Sequence, residues 1–244
     1  MEEKIIILYE DADVVVINKP SGLVVHADGR TAEPSVVDWL GKNRPEIKGV
    51  GDLSMINGQL SDVPNKERPG IVHRLDRETS GALIIVKNQL TFLNIKKQFQ
   101  SRAVTKIYHA FVYGEMKQDD GVIDRAIGKS RKNFRLYSAQ RGARGTLRDA
   151  ITEYEVLARA LGFTFVALMP KTGRTHQIRA HLKAINYPVV CDKLYAPNRE
   201  CALGFKRLAL HALSLKFSLL NGKEIKVEAP YPKDFKHALK IFGV

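Results

Sequence analysis

The sequence predicts an α+β fold, a mostly antiparallel mixed central sheet with flanking helices and loops. β-branched apolar runs outnumber helical repeats along the chain. They come in hairpin-like pairs joined by turn signals, instead of alternating with helices as the strands of a parallel sheet do. The 244 residues carry no internal repeat and no low-complexity linker. One domain over 1–244, with a core that needs no disulfide or metal, is therefore expected.

"KIIILYE" and "DVVVINKP" read as two strands around an acidic turn, the second closing in the turn signal Pro20-Ser21-Gly22. "TAEPSVVDWLGKN" predicts a short helix starting near Pro34 or Ser35. From Arg44 to Gly70 the chain is rich in Gly, Pro, Asn and Asp without periodicity, so a long surface loop is expected. "ALIIVKN" is a strand. "NQLTFLNIKKQFQSR" sets Leu90, Leu93 or Phe92, Ile95 and Phe99 at helical spacing, with Lys96 and Lys97 opposite. "TKIYHAFVYGEM" and "TEYEVLARALGFTFVALMP" are strands, the latter a hairpin turning at Leu161-Gly162. A helix at "RTHQIRAHLKAI", a strand pair around "LHALSLKFSLLNGKEIKVEAP" and a closing helix in "PKDFKHALKIF" complete the chain.

The 39 Lys and Arg against 26 Asp and Glu leave a net charge of +13, which points to a polyanionic partner, nucleic acid above all. The only cysteines, Cys191 and Cys201, lack a CxxC spacing, so separate thiols in a reducing, cytoplasmic compartment are expected. The amino-terminal apolar run is short and flanked by acidic residues, unlike a secretory or membrane segment.

Four constellations could carry chemistry. In "PGIVHRLDRETSGALIIVK" the lone carboxylate Asp76 sits between Arg74 and Arg77, ahead of a Thr79-Ser80-Gly81 turn. An ionised carboxylate on a tight turn at a strand edge suits a nucleophile or base, and a structural salt bridge would look the same. In "PKTGRTHQIRAHL", Thr175 can cap a helix carrying Arg174, His176, Gln177, Arg179 and His181. Arg179 lies on a face from which it can point into a cleft, and His181 reads as a satisfied histidine at the edge of a core. In "VTKIYHAFV", alternation puts Lys106 and Tyr108 on one face of a strand, where the ring is either half-buried packing or a stacking platform. The run "DRAIGKSRKNFRLYSAQRGARGTLRD" mixes Arg131, Lys132 and Arg135 with Phe134 and Tyr137, a pattern shared by single-strand RNA surfaces and solvated basic hairpins. A metal is not expected: the helix histidines are five apart with no Glu between them. A G-x-S-x-G elbow is missing as well.

"NKPSGLVVH", "HRLDRETSG", "KIYHAFV", "AITEY", "KTGRTHQIRAHL", "CDKLY" and "LHALSLKF", in this order from about Asp13 to Phe235, resemble the RluA-type RNA pseudouridine synthases. The resemblance implies an isomerase, an intramolecular transferase that breaks the bond from uridine nitrogen 1 to the ribose and rejoins the sugar at carbon 5. It implies a central catalytic cleft, no cofactor, and ribosomal RNA, transfer RNA or both as substrate; with the readings above, a cytoplasmic monomer without metal or membrane is expected. By motif, Asp76 is the essential aspartate, Tyr108 stacks on the target base, and Arg179 pairs with Asp76. Arg74 fills the space that the flipped nucleotide vacates. Arg77, Lys106, Arg174, His176 and the basic insert at about 125–148 make up the expected RNA-binding surface. Whether the aspartate attacks the ribose or the base, or removes a ribose proton, has been argued for the family. Each route needs a preorganised carboxylate beside developing positive charge on the sugar, and each needs the uridine drawn from its stack.

The chain departs from the family pattern in two places. Cys191 stands before Asp192 where the family usually has Gly, and Ala196 follows Tyr195 where it has Gly. "NKPSG" already begins at Asn18, so no amino-terminal S4-like domain is expected ahead of it. The alternative from another class is a non-catalytic RNA-binding or ribosome-assembly factor with the same fold.

Overall fold

The computed structural model describes residues 4–26, 33–56, 59–64, 68–131, 136–140 and 143–244, with backbone only over 53–64. The chain divides into two compact units: Met1–Val104 with Ser214–Pro230, and Thr105–Leu213 with Tyr231–Val244.

In the first unit, β1 (Ile6–Glu10) pairs with β2 (Val14–Lys19) across the predicted acidic turn, where Asp11 accepts the backbone N–H groups of Asp13 and Val14, each at 2.8 Å. Helix α1 (Val36–Asn43) begins at Ser35 in a reciprocal capping box with Asp38. The expected loop from Arg44 to Gly70 is not structureless. It holds a 3-10 turn (Pro45–Gly49) and the antiparallel pair β3 (Leu53–Ile56) and β4 (Gln59–Pro64). Strands this short show too little alternation to be read against their Gly and Pro content.

β5 (Ser80–Val86) pairs antiparallel with β2 from Val14↔Val86 to Lys19↔Gly81. Both are apolar on both faces because both faces are covered: Val14 to Ile17 and Ala82 to Val86 have no exposed surface. Helix α2 (Gln89–Gln100) is capped by Asn88 and buries Thr91, Phe92 and Ile95, while Phe99 stacks on His73. Leu90 is exposed instead, and of the alternatives Leu93 and Phe92 it is Phe92 that is buried. The helix turns its Phe92 and Ile95 stripe to the sheet, and the two leucines fall to one side of it.

In the second unit, the sheet order is β6 (Thr105–Tyr113), β12 (Phe163–Pro170), β11 (Ile151–Ala160), β7 (Asp120–Asp124), all antiparallel. The β11–β12 hairpin turns at Leu161 and Gly162, both left-handed, as the sequence predicts. Between β7 and β11 the basic insert forms a small antiparallel sheet of β8 (Ile127–Lys129), β9 (Tyr137–Ser138) and β10 (Arg144–Arg148). Helices α3 (Gln177–Ala184) and α4 (Lys233–Phe242) follow the expected segments. Phe111, Phe165, Phe205 and Phe235 form the aromatic centre of the unit's core. β13 (Leu210–Ser218) leaves this unit after Leu213, and its later residues pair with β14 (Glu224–Glu228) in the first unit. Every strand pair described above is antiparallel, and an isolated parallel bridge joins Val24 and Ser35.

The cysteines correct the sequence reading: Cys191 and Cys201 are bonded to each other, with Cα atoms 4.5 Å apart. Turns along 192–199 fold the intervening residues back, a path that spacing alone does not disclose. Among the described residues no helix is long and apolar enough to cross a membrane.

Gly70, four residues ahead of Arg74, has φ +68, and an added Cβ would lie 2.5 Å from the Val86 carbonyl and 2.7 Å from Ile47. Gly70→Ala is expected to cost about 2–4 kcal/mol, left-handed strain and overpacking together, in a urea melt. A loss under about 0.5 kcal/mol would contradict this packing.

Candidate active site

The carboxylate of the first unit is carried by a turn ahead of β5. Leu75 on one side and Thr79 and Ser80 on the other are buried, and the Thr79 N–H donates to the Asp76 carbonyl at 3.1 Å. Asp76 itself is half-buried between two exposed arginines. Gly81, where β5 begins, has φ +117, the permissive backbone that the sequence places there.

The brace of this turn is Lys19, a residue that sequence reasoning quoted in a motif but gave no role. It has no exposed surface. Its Nζ donates to the carbonyls of Pro20 and Leu23 at 2.8 Å each and to that of Arg77, next to Asp76, at 3.1 Å. The Arg77 carbonyl also accepts the Gly22 N–H at 2.9 Å, and the Ser21 hydroxyl donates to the Glu78 carbonyl at 2.7 Å. Arg77 points its guanidinium away, to the Gly22 carbonyl at 3.2 Å and to Glu33 in an exposed ion pair at 3.0 Å.

His73 is engaged structurally, its Nε2 accepting the Ile84 N–H at 3.2 Å. His26 is pushed down to about 4 by burial and by the charges of Arg68 and Arg74, so it is neutral at pH 7. That places Arg74 beside the "NKPSGLVVH" segment. The side-chain oxygen of Thr79 is buried and meets no hydrogen-bond partner among the described residues.

In the second unit, Tyr108 lies half-buried on β6 opposite Leu168 of β12, packed against the core, with Lys106 two residues earlier. Burial, followed by the charge of Lys171, lowers Lys106 to about 8.

Thr175 does not cap α3. The cap position is His176, held left-handed at φ 54, and the Gln177 side chain takes over the local bonding. Its Oε1 accepts from the Arg174 N–H at 3.0 Å and from the Thr172 hydroxyl at 2.7 Å. His176 sits edge-on to Tyr137 and Tyr195, and Arg174 donates to the Asp149 carbonyl at 3.0 Å. His181 is fully buried, with one ring nitrogen 3.0 Å from the Thr152 hydroxyl and the other 2.9 Å from the Arg125 carbonyl; burial lowers its basicity. Arg179 is buried and bonded by both Nε and Nη2 to the carboxylate of Asp192, under the ring of Tyr195. Neither Asp192 nor Tyr195 was singled out by residue type, although both belong to the "CDKLY" motif.

Of the basic insert, β10 is exposed along its length, Arg131 is exposed, and Lys132 and Arg135 lie outside the described residues. Arg125 donates to the Ala184 carbonyl at 2.9 Å, at the carbonyl end of α3.

Residues 13–184 match the family model of RNA pseudouridylate synthases. An RNA pseudouridine synthase of Bacillus subtilis is 37% identical over 235 residues, 96% of this chain and 71% of that one. A ribosomal large subunit pseudouridine synthase D of Borreliella burgdorferi is 34% identical over 98% of this chain and 68% of its own. Among solved structures, human RNA pseudouridylate synthase domain containing 4 superposes with a TM-score of 0.72 at 26% identity, covering 97% of this chain and 92% of that one.

The α+β fold and these matches define an RNA-modifying isomerase. The chain belongs to the RNA pseudouridylate synthase family, whose members convert uridine in RNA to pseudouridine. The reading as a non-catalytic binding factor is not favoured.

Lys19→Met would leave the carbonyls of Pro20, Leu23 and Arg77 without their ammonium donor. A loss of about 1–3 kcal/mol is expected in denaturant titration. A variant as stable as the wild type would show that the ammonium is not what holds the turn.

Proposed function

We propose that this chain isomerises uridine in ribosomal RNA of the large subunit, as the name of its Borreliella relative indicates for that protein, with Asp76 as the essential carboxylate. The observation that carries the assignment of Asp76 is its support: one aspartate on a turn pinned from behind by a buried ammonium, ahead of a fully buried strand. Such a carboxylate is held without reorganising as charge develops on the sugar.

Tyr108 then stacks on the target base, and Arg179 serves as the charge partner of Asp76 when RNA is bound. Arg74 occupies the space left by the flipped nucleotide. The reaction breaks the bond from nitrogen 1 to carbon 1′ and forms one from carbon 5 to carbon 1′. Carbon 5 gives its proton to solvent and nitrogen 1 gains one. The atoms balance with no redox partner, and the proposal includes no cofactor or metal. A monomer in the cytoplasm, where ribosomal RNA is met, completes the proposal.

The direct test is tritium release from RNA labelled at uridine carbon 5. Wild-type protein is expected to release tritium from large-subunit ribosomal RNA, and Asp76→Asn to release none above background. Undiminished release by Asp76→Asn would remove the aspartate from the mechanism.

The RNA-binding surface includes Lys106, with Arg77, Arg174, His176 and the insert residues Arg131, Lys132 and Arg135. Because Lys106 titrates at about 8, its positive charge is present below that pH and lost above it. Between pH 7 and 9 the slope of log affinity against log salt is expected to shrink by about 0.6 in the wild type. Lys106→Arg, charged throughout, should keep its slope. An identical pH response in the two proteins would take Lys106 off the phosphate-contacting surface.

A further inference from the structure

Arg179 and Asp192 face each other almost out of reach of water, their side chains 7% and 0% exposed. Nε donates to Oδ2 at 2.7 Å and Nη2 to Oδ1 at 2.8 Å, a two-pronged pair that fixes the tilt of the guanidinium as well as its position. The carboxylate is in turn held by its own chain. Oδ1 accepts the N–H groups of Leu194 and Tyr195, each at 3.0 Å, and the Asp192 carbonyl accepts the Ala196 N–H at 2.8 Å.

The Tyr195 ring lies 5.0 Å from the guanidinium carbon, and its hydroxyl accepts the Tyr137 N–H at 3.1 Å. The arginine is thus held against a carboxylate and an aromatic face that are both anchored to backbone.

Stability alone is a poor reason for such a pair. Burying two charges costs most of what their attraction returns, and apolar replacements of similar volume are often neutral or better. What the pair does supply is direction. The carboxylate engages the Nε–Nη2 edge of the fork and so determines where the Nη1 edge is turned.

We propose that Asp192 is a positioning residue for Arg179, setting the plane of its guanidinium for action on the reacting aspartate. The inference rests on the role proposed above for Arg179. Asp192 itself touches no substrate and works through the arginine.

The test is single-turnover tritium release at saturating enzyme, with the RNA concentration dependence and a thermal melt for each variant. Asp192→Asn keeps the shape and the acceptor for the two backbone N–H groups but replaces one prong by an amide. It is expected to lower the maximal rate about a hundredfold and to leave the half-saturating concentration within about threefold. In an Arg179→Ala background the same substitution should cost less than about twofold further, because the two residues act as one unit.

A wild-type rate in Asp192→Asn, or losses that multiply in the double variant, would overturn the proposal. If Asp192→Asn does not fold, Asp192→Glu carries the same test with a loss of at least about tenfold expected in rate alone; a wild-type rate there overturns it equally. No release by the wild type would overturn the underlying assignment. That result differs from an active wild type matched by an equally active Asp192→Asn.

Discussion

Three carbonyl oxygens converge on one ammonium behind the Asp76 turn, and the presentation of that aspartate depends on them. Removing a lysine charge from water costs several kcal/mol unless its donors are met, and Lys19 meets them with the carbonyls of Pro20, Leu23 and Arg77. Two segments far apart in sequence are held together at the point where β2 and β5 end their pairing, at Lys19↔Gly81. The turn therefore inherits the rigidity of two fully buried strands, although its own side chains are polar.

The second unit meets the same problem with a second buried cation. A helix that is nearly all buried presents an arginine, so the guanidinium needs an acceptor within the protein. Asp192 supplies it, and the residue before it, Cys191, takes the left-handed φ of 60° that glycine adopts most easily. The departure from the usual Gly is accommodated: the backbone takes a conformation that glycine would allow, and the Cys191 side chain reaches Cys201.

Much of the fold was legible because its signals are strong and local. β-branched runs marked β2 and β5, helical spacing marked α2, and Leu161-Gly162 marked a hairpin whose two residues are both left-handed. What failed depended on tertiary contacts. Thr175 looked like a helix cap, but the chain enters α3 through a left-handed His176 with Gln177 bonding backward. Leu90 and Leu93 fit the helical period and still face solvent, since the sheet takes the stripe of Phe92 and Ile95. The Cys191–Cys201 bond follows from a turn that has no signature in spacing.

The candidate site divides in the same way. Asp76, Tyr108 and Arg179 stood out by motif, whereas Lys19 and Asp192 did not, because a lysine reads as surface and an aspartate near a turn reads as a turn former. The central claim is that Asp76 turns uridine into pseudouridine in RNA. Its most direct test is to map pseudouridines in ribosomal RNA from cells whose sole copy of this protein is Asp76→Asn. At least one large-subunit pseudouridine present in wild-type cells should revert to uridine; a map identical at every position in large-subunit RNA would contradict the account.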